Sequence, residues 1–262
     1  MIHADASSHI AMALGDSSAP LVSVIISSLN DVIGLKYTVD KLLLDKYPSL
    51  EIIVIDGASA DHTDDSIKYF IDRISHFVFE PDLGIYDAWN KGLRLARGEY
   101  IAFLGAGDSY SEEGLSCLVR SAIANPSADF ISSRLEIIRD EMLIRTIGSA
   151  WQWTKFRRFM NAVHAGSLHS RRLFDLYGEF DTSYKIAGDY ELLLRAHKTL
   201  KTSYVDSVTV RMLADGASHA GYRVFSETEF AKIKNNSVPR WLARLDRYIA
   251  CAKRYVRTHC FD

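Results

Sequence analysis

The chain is poor in cysteine. Only Cys117, Cys251 and Cys260 occur in 262 residues. They are odd in number and show no CxxC spacing, which excludes a disulfide framework and a cysteine zinc site. A reducing cytoplasm is the default compartment for such a chain. An excess of either charge is also missing. The 31 Lys and Arg against 33 Asp and Glu leave a net charge of −2, with no global pull toward nucleic acid. No apolar run approaches the roughly 18–20 residues that cross a bilayer. Residues 1–19 lack a basic start and a long apolar core, so they read as a disordered leader rather than a signal peptide. There is no internal repeat and no low-complexity tract. Glycine-rich phosphate loops are absent too. The first apolar run is followed by SSLNDVIG, neither GxGxxG nor a Walker loop, so a ligand at this edge is held by other means.

What is present is a hydrophobic fraction of 48%, enough for one large domain or one domain with a small appendage. Leu21–Ser28, Glu51–Asp56, His76–Glu80 and Glu99–Leu104 are short apolar runs, the mark of strands buried on both faces. Helical spacing at 31–46, 63–74, 85–96 and 111–124 alternates with them. That alternation predicts an α/β fold with a mostly parallel sheet flanked by helices. After about residue 127 the pattern becomes mixed. Strands are expected at 128–138, 142–147, 202–206 and 208–213, and helices at 151–160, 170–177 and 189–199. A long amphipathic helix closes the chain at 238–259. The expected division is a domain over 20–220, with halves 20–126 and 127–220, and a helical extension over 221–262.

Chemistry-bearing residues gather at the predicted strand ends, where ligands bind in open α/β sheets. Ser28 and Asn30 follow the first strand. Asp56 ends the second, and a carboxylate there is placed to accept N–H donors from a base or ribose. In DGASADHTDD, Ser59, Asp61 and Thr63 admit a turn-and-cap reading or a ligand role. Asp82 and Gly84 precede the next helix. On it, Asp87 and Lys91 form an i,i+4 pair that is a surface salt bridge or part of a site. Asn90 is a poor mid-helix residue, which points to a specific contact.

The ordered set VSVIISSLN, EIIVIDGASADHT, PDLGIYDAWNKG and ARGEYIAFLGAGD resembles the family 2 glycosyltransferases, over roughly residues 20–218. The likeness is strongest to bacterial members that build capsule, colanic-acid-type and O-antigen polysaccharides. It implies a GT-A fold that binds a nucleotide sugar at the strand C-termini, with Ser28, Asn30, Asp56, Asp82, Asn90, Lys91, Gly107, Asp108 and Ser218 at the donor. It further implies that Asp108 ends a DxD-type motif and holds Mg²⁺ or Mn²⁺ against the donor diphosphate. GAGD departs from the fuller motif by offering one acid, so metal binding is expected to be weak. A histidine in the position of His164 faces the donor in relatives; on its own it reads as a structural residue. Asp189 falls on the "ED"-like general base, with Gly188 where an acid often stands; on its own it is a helix cap. Gly216 and Ser218 match a loop that closes over the donor.

The resemblance implies an inverting transferase. It moves a sugar from a nucleotide diphosphate, uridine by default, to a saccharide acceptor that is lipid-linked in such pathways. A catalytically weakened nucleotide-sugar or carbohydrate-binding protein is the alternative. A nucleotidyltransferase would need a glycine- and Lys/Arg-rich signature near the first strand, which is missing. The closing helix has an apolar face (Trp241, Leu242, Leu245, Tyr248, Ile249, Ala252) and many arginines. It either packs on the domain or lies on an anionic membrane, which would set the protein at the inner face of the cytoplasmic membrane.

Overall fold

The computed structural model describes residues 19–61, 63–214 and 221–259; the expected leader falls outside the described residues. Nine strands form one sheet: β1 (Val22–Ser28), β2 (Leu50–Asp56), β3 (His76–Phe79), β4 (Tyr100–Gly105), β5 (Ser109–Tyr110), β6 (Phe130–Arg139), β7 (Met142–Ile147), β8 (Leu168–Ser170) and β9 (Thr202–Leu213). Their order is β3-β2-β1-β4-β8-β6-β9-β5, with β7 paired to β6. The first four are parallel. The second half is mixed, with β8 antiparallel to both β4 and β6 and β9 parallel to β6.

The chain runs from β1 outward through β2 and β3, then returns to the other side of β1 as β4. This reversal opens a crevice at the carboxyl ends of β1 and β4. Strand alternation feeds two cores. Val24, Ile26, Ala102 and Leu104 face one side, where helices α1 (Val32–Leu43) and α3 (Gly114–Ala124) cover them. Ile25, Ile53, Ile101 and Phe103 face the other, under α2 (Ile85–Leu95) and α4 (Arg171–Tyr177). Period-two burial on both faces is what the continuous Ile/Val runs demand. One carboxylate is buried at the sheet's entry. Glu51 accepts the Ser23 hydroxyl and both the backbone and side-chain N–H of Arg97. Burial pushes its carboxyl up, but these donors outweigh it and hold the pKa below the usual value.

The last three helices are α5 (Gly188–Arg195), α6 (Arg223–Lys234) and α7 (Arg240–His259). The segment expected as an extension is joined to the second half by buried polar contacts. Glu227 of α6 accepts the backbone N–H groups of Lys185, Ile186 and Ala187. Asp246 of α7 is buried between Arg158 and Lys232.

Three expected elements differ. Residues 63–74 form one α turn, Thr63–Ser66, and two 3₁₀ turns. Phe70 leaves helical backbone at φ −135° with its ring buried. Residues 202–213 are one strand inside the sheet, not two at an edge. Its register on β6 jumps from Ser132↔Tyr204 to Arg134↔Val208, so the polar Asp206–Ser207 step is a bulge. Residues 151–160 hold a single turn, Trp153–Phe156.

Candidate active site

The crevice deepens into a cavity of about 750 Å³ between the end of β4, the start of α2 and the segment leading into α5. Asp108, His164 and Asp189 all line it.

Asp108 is set by the turn that follows β4. Its Oδ2 accepts the Gly105 N–H at 3.0 Å and its Oδ1 the Leu213 N–H at 3.3 Å. The Thr38 hydroxyl donates to the Asp108 carbonyl at 2.7 Å and accepts the Gly107 N–H at 2.9 Å. Gly107 has φ +90°, and a Cβ there would stand 2.5 Å from Leu213 Cδ1. The turn therefore requires glycine. Burial raises the Asp108 pKa to about 7 against these two N–H donors. The carboxylate is under-compensated, and a cation would restore its charge.

The residues present fit a cation brought in with a diphosphate rather than a prebuilt metal cage. Among the described residues no three His, Cys, Asp or Glu cluster, yet Mg²⁺ is commonly held by one or two carboxylates plus substrate phosphates and water.

Asp189 faces the same cavity from the first turn of α5. Its Oδ1 accepts the Tyr190 N–H at 2.8 Å and lies 3.1 Å from the Tyr86 hydroxyl, which also donates to Ile186 O at 2.7 Å. Burial raises its pKa to about 6, opposed by the Tyr190 N–H and the Tyr86 hydroxyl. The glycine before it has a steric cause. A Cβ at Gly188 would meet the Tyr86 ring at 2.8 Å, so an acid at 188 and Tyr86 in this pose exclude each other.

His164 is buried and packs against both Trp89 and Phe103, with ring centroids at 5.1 and 5.5 Å. Neither ring nitrogen has a protein partner. Burial, then the nearby His169, drives its pKa well below the ordinary value. It faces the cavity as a neutral imidazole, with no charge to offer a phosphate.

Ser28 and Asp56 sit side by side at the ends of β1 and β2. Asp56 accepts the Ser59 N–H and hydroxyl at 2.7 and 2.8 Å. Ser59 Oγ in turn accepts the Asn30 N–H at 2.7 Å, and Asn30 Oδ1 accepts the Ala60 N–H at 2.9 Å. These bonds stitch the two strand-end loops into one rim. The buried Ser28 Oγ has no protein partner. Asp82 accepts the Gly84 N–H at 2.8 Å, and its carboxylate crowds Gly57, where a Cβ would stand 2.7 Å from Oδ2. Asp61 accepts the Val32 N–H and the Thr63 hydroxyl, a capping role.

Two expected donor residues point elsewhere. Asn90 is buried, and its amide bonds Phe180 from both ends, to O and from N, at 2.9 Å each. Lys91 bonds Pro81 O at 2.8 Å and Glu80 at 2.9 Å, bracing the loop that carries Asp82. Gly107 lines a neighbouring groove that shares Asp31, Met212 and Leu213 with the cavity. Ser218, with Gly216, lies outside the described residues.

Tyr86, Glu227 and the cavity-lining Lys185 and Arg254 were not singled out from the sequence. Tyr86 is a buried aromatic in an amphipathic helix and looks like any core residue. Glu227 acts across some forty residues of chain, which no local pattern announces.

Comparison with known proteins fits this geometry. Residues 23–171 match the family described as Glycosyl transferase family 2. A PGL/p-HBAD biosynthesis glycosyltransferase of Mycobacterium bovis is 26% identical over 200 residues, covering 73% of this chain and 76% of that protein. Among solved structures, S. aureus TarS 1-349 in complex with UDP-GlcNAc superposes with a TM-score of 0.67 at 14% identity, covering 87% of this chain and 70% of that one. The mannosyltransferase PcManGT from Pyrobaculum calidifontis, in complex with GDP-Man and Mn2+, gives 0.65 at 17% identity, covering 96% and 82%. These two likenesses show a GT-A fold. A family match over more than half of the sequence, on a sheet whose crevice carries Asp108 and Asp189, makes the chain a glycosyltransferase of family 2.

Proposed function

We propose that the protein transfers a sugar, with inversion, from a nucleotide-diphosphate sugar to a hydroxyl of a lipid-linked saccharide during synthesis of a surface glycoconjugate. Asp189 is the general base and Asp108 sits at the donor diphosphate. The observation that carries this reading is the two carboxylates of raised pKa on the walls of one cavity. A base poised near neutrality suits removal of an alcohol proton. The acceptor oxygen forms the new bond to the anomeric carbon, the bond to the diphosphate oxygen breaks, and the proton passes to Asp189. No enzyme nucleophile is needed.

Tyr86 orients the Asp189 carboxylate. Lys185 and Arg254 line the cavity and supply positive charge to the departing diphosphate. Mg²⁺ or Mn²⁺, bound through Asp108, would neutralise that diphosphate. His164 acts as a neutral partner for a donor hydroxyl or phosphate, consistent with its two unpaired nitrogens. The rim of Ser28, Asn30, Asp56 and Asp82 receives the nucleoside, and Ser218 contributes to holding the donor. Uridine is the first base to test, since one fold neighbour binds UDP-GlcNAc and another GDP-Man. The mycobacterial relative, named for PGL/p-HBAD biosynthesis, supports a role in glycoconjugate synthesis. Donors of this kind place the reaction in the cytoplasm.

A panel of UDP- and GDP-sugars, with and without Mn²⁺, tests this by thermal shift, because a ligand of the native state alone raises its apparent stability. A midpoint unmoved by every donor at millimolar concentration refutes the reading. The lone acid of GAGD favours one competing reading, a binding protein of the same fold. Such a protein would show a shift but no donor turnover.

A further inference from the structure

The C-terminal helix α7 is fixed by one face and, among the described residues, presents another that stays exposed to solvent. Trp241, Leu245, Tyr248, Tyr255 and Val256 are exposed by 66, 45, 63, 57 and 47%. Spacings of four, three, seven and one residues put all five on a single stripe about 100° wide. Ala243 and Asp246 lie on the opposite side, buried against the domain. Asp246 is gripped by Arg158 at 2.5 Å and Lys232 at 3.2 Å, so the helix cannot roll its aromatic stripe inward without breaking a buried ion pair.

The charges are sorted in the same way. Asp246 is the only acid in α7, and it is turned inward. Arg240 and Lys253 are exposed beside the stripe, as is Arg244, which lies 3.8 Å from Glu229 of α6. From this side the apolar surface continues toward the cavity: Lys253 lies over the Phe159 ring, and the next residue, Met160, lines the cavity. Arg254, adjacent to Tyr255 but on another face, reaches the cavity wall itself.

From these observations we infer that the outward face of α7 docks on an anionic membrane, with its aromatic stripe in the headgroup region and its basic rim on the lipid phosphates. Tryptophan and tyrosine suit that layer, with an apolar body and a polar tip. Basic side chains flanking an apolar face add attraction to anionic lipid. A second copy of this chain is the poorer occupant, because pairing two such faces sets one basic rim against the other, and Glu229 beside that rim is already paired with Arg244 and Arg247 of its own chain. Docking would bring the cavity within about one helix diameter, ~10 Å, of the bilayer surface. That placement serves the lipid-linked acceptor of the proposed reaction and rests on that reading; the docking itself does not.

The test is co-sedimentation of the full chain with vesicles of phosphatidylcholine and phosphatidylglycerol (7:3) and of phosphatidylcholine alone, at low and high salt. The native chain should pellet with the anionic vesicles and bind at least tenfold more weakly to the neutral ones or in high salt. The triple variant Trp241→Ser, Tyr248→Ser, Tyr255→Ser should lose at least tenfold in binding while keeping its thermal midpoint and its turnover of donor. Should that variant be unstable, the double charge reversal Arg240→Glu, Lys253→Glu must weaken anionic binding by the same order. A native chain that stays in the supernatant at low salt overturns the proposal. So does a native dimer by light scattering that the triple variant converts to monomer. Vesicle binding that persists with no donor turnover would remove the transfer reaction and leave the docking surface standing.

Discussion

Replacing Asp189 with asparagine keeps the shape of the side chain and its contacts to the Tyr190 N–H and the Tyr86 hydroxyl while removing the proton acceptor. A positioned general base contributes on the order of 10²–10⁴-fold, about 3–5 kcal/mol of barrier at ~1.4 kcal/mol per decade. Turnover should fall by that factor, and the donor-induced thermal shift should survive. The native enzyme should show the matching pH dependence. Burial raises the Asp189 pKa to about 6, and only the ionised form accepts a proton. Turnover should be level above pH 7 and fall as pH drops through 6, leaving about a tenth of the sites ionised at pH 5. In kcat/KM, which reports the free enzyme, the fall should begin higher, because Asp108 titrates near 7 before a cation and donor arrive. The assay is nucleotide release from the donor in the presence of acceptor, over pH 5–9. An Asp189→Asn enzyme within threefold of native turnover, or a native acid limb below pH 5, refutes the assignment of the base.

Tyr86→Phe removes a hydroxyl that holds the Asp189 pKa down, so the acid limb should move upward by about half a unit or more, with about a twofold or greater loss at pH 6 and little at pH 8.5; an unmoved limb denies the contact. Asp108→Asn should stabilise the unliganded protein at pH 8 while removing its response to Mn²⁺ and donor. A carboxyl whose folded pKa is raised contributes stability below its unfolded value, near 3.8, and loses it as pH rises through about 7. The gain should therefore be on the order of a few kcal/mol at pH 8 and vanish near pH 4, read by chemical denaturation. Asp246→Ala leaves the buried Lys232 ammonium without its carboxylate and should cost about 3–5 kcal/mol, with early protease cleavage of α7; a loss under 1 kcal/mol would mean that the pair does not anchor the helix.

The four parallel strands were legible because their apolar runs leave no polar face, but their order, with the switch at β1, was not, since alternation of strands and helices fits more than one order. Asp108 was legible as an acid ending a buried strand. Asp189 was legible only through its resemblance to a family motif, since a carboxylate in the first turn of a helix is most simply a cap. The contacts of two expected donor residues were not legible for a shared reason. Asn90 finds its partner at Phe180, ninety residues away, and Lys91 braces a backbone carbonyl. Both belong to a motif read as a donor site whose function is partly to hold a loop. Asp206–Ser207 looked like a break because a bulge and a loop share their polar composition. The partner of Asp246 could not be read at all, because a helix with one acid among many bases carries no mark of which face that acid turns inward.

Glu227 gathers three backbone N–H groups of the segment just before Asp189, and Arg254 completes a wall of the cavity, yet both lie beyond the stretch by which the family is recognised. A chimera cut after residue 171 would thus carry the signature and most of the cavity lining, but neither Asp189 nor the parts that aim it. Shuffling acceptor preference between relatives calls for exchanging the chain through α7 as a unit, since α6 holds the segment before Asp189 and α7 adds Arg254 to the cavity wall.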